Sequence, residues 1–279
     1  MKRWSPEQRS ELESRWADKS QRPVDIQRVM GLTPGQFVGA LRRYNLHRNR
    51  GNGISLSGSH PAVIELRTLF PKKVRNGWRL LRPGRDNSKL GNRVTKGAWR
   101  GAPIFSLSLE ERATCPSTSK QFLSCYGNNM PWAVRSPHGP ELERGLRLEL
   151  SGLQNKHPNR FAVRLHQLGD FYSLGYVRFW EDALDEFSGL RIFGYTHWDQ
   201  STEIGAAIAD LRHRRWNRFA VRTSDAKIGP RTFVIDRDLT PSDGAILCPA
   251  QAGKTRSCGT CALCWSEAAM DKPIAFQKH

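Results

Sequence analysis

The strongest constraint on the fold of this chain is a regular alternation of strand and helix patterns in its second half. Three short apolar runs typical of buried strands are separated by two segments with helical spacing, at 161–169, 175–187, 190–198, 201–214 and 218–224. Successive parallel strands need a crossover connection, which a helix usually provides. The sequence therefore predicts an α/β domain in which helices pack against a parallel sheet.

Two further apolar segments, residues 232–238 and 245–250, can extend this sheet. The βαβ units fit a partial or open (β/α) barrel, and the pattern alone does not exclude a doubly wound sheet. We expect a barrel-like, open α/β domain over residues 104–279, with a cysteine cluster towards its C-terminal end.

Six cysteines are present, and four of them follow the pattern C-x9-C-x2-C-x2-C: Cys248, Cys258, Cys261 and Cys264. No signal-peptide pattern or long apolar run is evident, so we expect a cytoplasmic protein without a membrane partner. In a reducing compartment, clustered thiols indicate metal binding rather than disulfides.

The spacing of these four cysteines also indicates which metal they bind. Zinc sites usually use separated C-x2-C pairs, whereas C-x2-C-x2-C resembles the start of a ferredoxin-type run. Gly253 and Gly259 ease the turns and bring backbone amides near the sulfurs. We therefore favour an iron–sulfur cluster as the cofactor, with zinc as the alternative.

The other two cysteines, Cys115 and Cys125, lie near the middle of the chain. Three interpretations stay open for them. They join the C-terminal ligands in space, they form a second site, or they are buried structural thiols, which is the commonest fate of an isolated cysteine.

Polar residues follow each of the three central strands. They are His166, Asp170, Tyr172 and Ser173 after the first, Thr196, His197 and Asp199 after the second, and Arg222, Ser224 and Asp225 after the third. Ligands bind at the carboxyl ends of parallel strands, so these residues predict a pocket with His166 and Asp170 as a catalytic acid–base pair. The competing interpretation is structural, with Ser173 and Ser201 as helix caps and Asp170 stabilising a turn.

The positive charge of the chain is concentrated in its first third. The net charge is +18, and residues 1–100 carry 22 Lys and Arg against 7 Asp and Glu. Such an excess predicts a nucleic-acid partner, because cations that neutralise phosphates release condensed counterions. A solvated basic surface without a partner is the alternative explanation.

Capping signals near the start of the chain predict a helix-turn-helix over residues 1–48. Ser5–Pro6 and Thr33–Pro34 each place a capping residue before a proline, and Gly31 interrupts the chain before the third helix. The third helix of such a unit enters the DNA major groove. We expect the buried side to include Trp4, Leu12, Trp16, Phe37, Val38 and Leu41, and the DNA-binding residues to be Gln36, Arg42, Arg43, Arg48 and Arg50.

Residues 49–103 are predicted to be a basic linker rich in glycine and proline. Residues 67–100 hold 11 Lys and Arg together with Trp78 and Trp99, and no helix or strand period persists there. Interleaved cations and aromatic rings suit phosphate tracking and base stacking, and each Trp could equally be a core anchor.

Several ordered motifs resemble the phage "gene product 88" family, which is found in phages and in mobile or integrated bacterial DNA. The resemblance covers about residues 104–279 and rests on CPSTSKQFLSCYGNNM, LHQLGDFYSLGYVRFW, FGYTH, CPAQAGKTRSCGTCALCW and IAF. It implies a phage or mobile-element origin and no settled activity. Family members carry a further cysteine where this chain has Ser119, which weakens the case for a cluster built on Cys115 and Cys125. Residues 3–50 resemble the N-terminal helix-turn-helix of GcrA-type cell-cycle regulators.

Three functions are compatible with these features. The first is a DNA-associated protein with a cysteine-ligated metal centre. The second is an iron–sulfur enzyme with a radical S-adenosylmethionine-like α/β barrel that acts on a nucleotide or nucleic acid, although the early C-x3-C-x2-C triplet of such enzymes is absent. The third is a zinc-stabilised binding module without catalysis.

Overall fold

The computed structural model describes residues 4–18, 21, 23–44, 46, 54–76, 79–236, 239–242 and 244–278. The chain divides into two compact units, Met1–Asn52 and Gly53–His279. Within the described residues, no helix is both long and apolar enough to cross a membrane.

The first unit is a small helical unit, as the capping signals predict. Its helices are α1 (Pro6–Ala17), α2 (Pro23–Val29) and α3 (Pro34–Arg43). The Ser5 side chain accepts a hydrogen bond from the Gln8 amide, and the Gln8 side chain returns one to the Ser5 backbone, which forms a capping box. The core consists of Leu12, Ile26, Phe37 and Ala40, with Trp4, Trp16 and Leu41 packed against it.

One side chain of α3 differs from expectation. Val38 is 46% exposed, although it was expected to face inward with Phe37 and Leu41. Phe37 and Ala40 occupy the buried face of α3, and Val38 lies away from it. The exposed side of this helix therefore carries an apolar residue.

The second unit is built on one eight-stranded sheet with the spatial order β1-β2-β3-β4-β5-β6-β8-β7. Only the β1–β2 pair is antiparallel, and every other neighbouring pair is parallel. This confirms the predicted open α/β architecture, in which β1 to β6 lie side by side in chain order. The strands are β1 (Arg82–Pro83), β2 (Ile104–Ser108), β3 (Phe161–Leu168), β4 (Leu190–Thr196), β5 (Phe219–Ser224), β6 (Arg231–Ile235), β7 (Ile246–Leu247) and β8 (Ile274–Gln277).

Three long helices cover one face of this sheet, which we call the helix face. They are α6 (Pro140–Lys156), α7 (Leu174–Glu186) and α8 (Glu203–Arg215), and their apolar sides pack on alternate residues of β3, β4 and β5. Ser173 caps α7 through the Tyr176 amide, as predicted. The cap of α8 is Thr202 rather than Ser201. The shorter helices are α4 (Pro61–Ile64), α5 (Glu111–Thr114) and α9 (Cys258–Cys261).

The opposite face, which we call the cysteine face, is covered by irregular chain. Its core joins Leu90, Val94 and Trp99 to Cys248, Cys264 and Trp265 over the remaining residues of the central strands. Such a face has no helical period to detect in the sequence, because turns and loops supply the apolar side chains.

The predicted linker, residues 49–103, is therefore an ordered part of the second unit where it is described. The Trp99 ring stacks on Trp265 with 5.2 Å between centroids, and its indole N–H donates to the Asn217 carbonyl at 2.8 Å. Trp99 is a core anchor and not a base-stacking residue. Trp78 lies outside the described residues.

Candidate cysteine centre

Three separate pieces of chain place the four C-terminal cysteines on the cysteine face. Cys248 follows β7, and its amide donates to the Ala275 carbonyl of β8 at 2.9 Å. Cys258 and Cys261 are the first and last residues of α9. Ser257 caps the N-terminus of this helix and forms a capping box with Thr260. Cys264 lies in the turn after α9.

The turn that carries Cys258 is bonded to residues 89–95 of the former linker segment. The Cys258 amide donates to the Lys89 carbonyl at 2.7 Å, and the Gly259 amide donates to the Leu90 carbonyl at 2.9 Å. A Cβ at position 259 would lie 2.4 Å from the Arg93 carbonyl oxygen. This close backbone approach requires glycine next to the first cysteine of the triplet.

A buried arginine of β5 holds the segment that follows the triplet. Arg222 is 0% exposed, and its guanidinium donates to four backbone carbonyls rather than to a carboxylate. The acceptors are Cys264 at 2.9 Å, Ala269 at 2.6 Å, Met270 at 3.3 Å and Lys272 at 3.0 Å. These bonds hold two short 3-10 helices, Leu263–Trp265 and Glu267–Ala269, and the turn after them against the sheet. Arg222 therefore has a structural role, and it does not contribute to a pocket at the strand ends.

Cys258 and Cys264 lie in a desolvated environment, and each is within electrostatic range of Cys248. Burial, followed by the charge of Cys258, raises the pKa of Cys264 to about 12. Burial also raises the pKa of Cys258, and Cys248 and Cys261 act in the same direction while Arg164 opposes them. The Tyr195 hydroxyl lies 3.0 Å from the Cys264 sulfur. Both thiols are therefore neutral near pH 7 unless a cation stabilises the thiolate.

An uncompensated cation lies beside these thiols. Arg164 of β3 interacts electrostatically with Cys258, Cys264 and two tyrosines, Tyr195 and Tyr126. Its guanidinium lies over the Tyr195 ring at 4.8 Å, and its buried Nε has no hydrogen-bond partner. No described residue forms a hydrogen bond or ion pair with the Arg164 side chain. Lys89 is a second cation there, next to Cys248 and Cys258.

The donor set of this region fits a thiophilic metal or an iron–sulfur cluster in chemical type. Thiolate sulfurs are the ligands that zinc and iron–sulfur clusters take, and nearby cations offset their negative charge. In the described part of the chain, no group of three or more His, Cys, Asp or Glu side chains is arranged so that it could hold a metal ion. The structure thus brings the predicted ligands into one region without arranging them around a common point.

The mid-chain cysteines have different neighbours. Burial raises the pKa of Cys125 to about 11, and the charge of Glu111 acts in the same direction. Burial also raises the pKa of Cys115 far above its usual value, with Asp170 and Cys125 acting in the same direction. The Cys125 sulfur accepts a hydrogen bond from the Gly127 amide at 3.4 Å. The two thiols interact electrostatically, and whether they bind a metal stays a prediction.

The predicted pair His166 and Asp170 have separate partners. His166 Nε2 lies 3.2 Å from the Tyr176 hydroxyl, and its ring packs against Phe171 and Tyr176. Burial lowers the pKa of His166 to about 3. Asp170 accepts from the amides of Phe171 at 2.8 Å and His197 at 2.7 Å, and burial raises its pKa to about 6. These contacts connect the ends of β3 and β4, as the structural interpretation expects.

The remaining polar residues at the strand ends are mostly occupied by turns. Asp199 accepts from the Ser201 amide, Thr196 accepts from the Trp198 amide, and Tyr172 donates to Glu143. The exception is Asp225. Its Oδ2 lies 3.7 Å from His197 Nε2, and its Oδ1 lies 3.7 Å from Lys120 Nζ. Whether the residues at this edge form a pocket stays a prediction.

The predicted DNA-binding residues are only partly described. The Gln36 side chain accepts from the Thr33 amide at 2.9 Å, so it caps α3. Arg43 is exposed near the end of α3. The side chain of Arg42, together with Arg48 and Arg50, lies outside the described residues.

Two arginines of the sheet have roles that the sequence did not predict. Arg164 was not among the predicted site residues, and Arg222 was predicted to line a pocket at the strand ends. Each is the second arginine of the sequence RFAVR, which occurs on β3 and again on β5. An arginine inside an apolar run indicates an inward-facing cation when both faces of the sheet are covered. Comparison with known proteins found no matching family model, no matching curated protein and no matching solved structure.

Proposed function

We propose that this chain is a DNA-associated protein of phage or mobile-element origin that binds a metal centre through Cys248, Cys258, Cys261 and Cys264. The observation that carries the metal part is the Arg164 guanidinium, which lies beside these thiols without an anion. The proposal for DNA rests on the helical first unit and on the charge of the first 100 residues.

The free energy of the Arg164 guanidinium depends on whether the thiols near it are protonated. A partly buried guanidinium that has no anion or hydrogen-bond acceptor is costly, typically by several kcal/mol. Neutral thiols do not compensate it, and the pKa of Cys264 keeps that thiol neutral. Metal binding deprotonates cysteine, so it supplies the negative charge that Arg164 and Lys89 lack.

An iron–sulfur cluster remains the favoured cofactor, and zinc remains the alternative. The reason is the C-x2-C-x2-C spacing of Cys258, Cys261 and Cys264. A cluster would supply electron transfer or a radical source, whereas zinc would supply a structural crosslink. In either case Arg164 balances the charge and Arg222 fixes the loop.

The DNA part of the proposal uses the exposed side of α3. A four-residue turn with Gly31 in the left-handed region joins α2 to α3, which is the spacing of a helix-turn-helix. Arg43 would contact phosphate, and exposed Val38 could contact a thymine methyl group. Because Gln36 caps the helix, it is less available for reading bases.

The metal proposal is tested by anaerobic purification followed by metal analysis and visible spectroscopy. We expect iron with acid-labile sulfide and broad absorbance near roughly 400 nm for a cluster. A colourless protein with about one zinc per chain would identify the alternative. The Cys261→Ser variant should lose metal, and the matched Cys115→Ser variant should keep it if the mid-chain thiols are structural. A protein that takes up neither iron nor zinc contradicts the proposal.

The DNA proposal is tested by replacing Arg42 and Arg43 with alanine in the full chain. Duplex affinity should fall, and the slope of log K against log salt should decrease by about 0.9 for each phosphate contact removed. Lys272→Ala removes an exposed cation from the second unit and is the matched control. Unchanged duplex binding in the double variant would exclude α3 as the DNA-binding helix.

The enzyme alternative depends on His166 and Asp170. If they are catalytic, replacing them abolishes turnover of a nucleotide or nucleic-acid substrate while metal content stays constant. If they are structural, the same variants lower the stability of the second unit and leave metal-dependent properties unchanged. Their contacts with Tyr176 and with backbone amides support the second outcome.

A further inference from the structure

The amino ends of the four central strands meet at one edge of the sheet and carry many cations. β2, β3, β4 and β5 pair in parallel, so the segments at their starts, residues 92–103, 156–160, 187–191 and 215–218, lie on the same side. We call this side the amino edge. Its four segments contain no Asp or Glu and hold eight Lys and Arg: Arg93, Lys96, Arg100, Lys156, Arg160, Arg191, Arg215 and Arg218.

Hydrogen bonds from guanidinium groups to backbone carbonyls join these segments into one surface. Arg160 Nη1 donates to the Arg100 carbonyl at 3.1 Å. Arg218 Nε donates to the Leu190 carbonyl at 3.2 Å, and Arg191 Nη1 donates to the same carbonyl at 2.9 Å. Carbonyl oxygens fix the position of these side chains without neutralising their charge. The amino edge is therefore a preorganised set of cations.

Carboxylates offset little of this charge. Among the described residues, Arg215 is the one cation of the eight that forms an ion pair, with Asp185 at the end of α7. Asp185 also acts electrostatically on Arg218. Exposed arginines elsewhere in the second unit have closer carboxylate partners, as Arg214 has in Asp210 at 2.7 Å. The excess of positive charge is therefore a local property of the amino edge.

Several of these cations lie close enough to repel one another. Burial, followed by the charges of Arg218 and Arg160, lowers the pKa of Arg191 to about 10. Burial, followed by the charge of Lys156, also lowers the pKa of His157. A bound anion relieves this repulsion, because it stabilises the charged form of each neighbouring group.

The composition of the amino edge favours phosphate over other anionic partners. Six of its eight cations are arginines, whose planar guanidinium matches phosphate oxygens in a bidentate manner. None of the large apolar side chains that are exposed in the described residues lies in these four segments, so the edge offers no anchor for a lipid bilayer. Three strand spacings separate β2 from β5, so the edge is about 14 Å wide and matches about four phosphates along one strand of a DNA duplex.

From this arrangement we infer that the amino edge binds the phosphate backbone of duplex DNA without reading its sequence. The exposed cations Lys96, Arg100 and Lys156 pair with phosphates, and the half-buried Arg160 and Arg191 add guanidinium donors beneath them. This surface belongs to the second unit. It is separate from α3 and goes beyond the proposed helix-turn-helix function.

The test is a titration of a fluorescein-labelled 20-base-pair duplex with the full-length protein, followed by fluorescence anisotropy at several salt concentrations. The edge variant combines Lys96→Ala, Arg100→Ala and Lys156→Ala, whose side chains form no hydrogen bond with a described residue. Its slope of log K against log salt should decrease by about 2.7, because each phosphate contact contributes about 0.9. Its duplex affinity should fall at least about tenfold at 0.1 M salt.

A matched control removes the same charge from the opposite edge of the sheet. It combines Arg178→Ala, Lys227→Ala and Lys254→Ala, three exposed residues that follow the carboxyl ends of β3, β5 and β7. The control should keep the salt slope of the parent chain. An equal decrease in both variants would overturn the inference, because total charge rather than its location would then explain binding.

Further measurements separate this surface from α3 and from other anions. The edge variant should lose the same affinity for two duplexes of unrelated sequence, and the same again in a chain that carries Arg42→Ala and Arg43→Ala. Failure of α3 to bind DNA therefore leaves the effect of the amino edge visible. Equal competition by a polyglutamate peptide would overturn the inference, because the edge would then be a surface for acidic proteins. Far-UV circular dichroism of each variant verifies that the fold is retained.

Discussion

The two faces of the central sheet are covered in different ways. On the helix face, α6, α7 and α8 bury a continuous apolar core whose residues recur with helical spacing. On the cysteine face, loops provide the covering layer, and buried cations, carbonyl acceptors and thiols lie among the apolar side chains. Helices satisfy their own backbone groups, whereas loops need side chains to do it. The helix face is therefore stabilised mainly by burial of apolar area, and the cysteine face depends on specific polar partners.

The largest expected effect comes from the helix face. Trp180 is 0% exposed on α7, within a ring cluster that includes Tyr176 and Phe179. Trp180→Ala should lower the free energy of unfolding by about 4 kcal/mol, since it leaves a cavity in an apolar core. Urea denaturation measures the change, and Leu148→Ala, with a side chain on the surface of α6, should cost less than about 0.5 kcal/mol. If the C-terminal thiols of Trp180→Ala were alkylated faster than those of the parent chain below the unfolding transition, the two faces would not be independent.

The next effect compares one buried arginine on each face. Arg222→Met removes donors from four carbonyls of the cysteine face and should cost about 3 kcal/mol. Arg212→Met is the matched variant on α8, where the guanidinium donates to Val221 and Thr223, so the cost should be smaller.

Hydrogen exchange shows where each of these two arginine variants opens the fold. Arg222→Met should accelerate exchange in residues 264–272 while α7 stays protected. Arg212→Met should act on α8 and β5. The same exchange pattern in both variants would mean that the faces are not independent.

The smallest effect is a pH dependence on the helix face. Burial lowers the pKa of His166 to about 3, below the value near 6.5 of an unfolded chain. Unfolded chains then bind the extra proton, so the contribution of neutral His166 is fully present above pH 6.5 and is lost as the pH falls towards 3. Between pH 7 and pH 5 the free energy of unfolding should decrease by about 2 kcal/mol more in the parent chain than in His166→Gln.

Urea denaturation at the two pH values measures this difference. His213→Gln, at an exposed position on α8, is measured beside it as a histidine-to-glutamine change outside the core. A parent chain and a His166→Gln variant with equal slopes would show that His166 is not buried as a neutral group.

Most of the helix face could be predicted from the sequence, and most of the cysteine face could not. The strands β3, β4 and β5 and the helices α7 and α8 were predicted because their apolar residues recur with a fixed period. The helix α6 was not predicted, although Leu142, Leu146 and Leu150 repeat every four residues. Periodicity fails on the cysteine face, because Leu90, Val94 and Trp99 are buried from turns whose spacing follows no element.

Regular spacing in the sequence also explains which site residues could be predicted. The four C-terminal cysteines are recognisable from spacing alone, and the structure brings them to one region. The role of Arg164 depends on Tyr195, Cys258 and Cys264, which only the sheet brings near it. The acid–base prediction for His166 and Asp170 came from closeness in sequence, and the fold gives each residue a partner on another element.

The position of β8 has a consequence for how the chain is assembled during synthesis. β8 follows β7 in the chain but lies between β6 and β7 in the sheet, with parallel pairing on both sides. β7 and the neighbouring Cys248 therefore have no docking strand while the ribosome is still making residues 249–273, which include the other three C-terminal cysteines. Cys248 can reach its final environment only after the other three thiols have been synthesised. The helix face can form earlier, so loading of any metal into this protein should be a late, post-synthetic event.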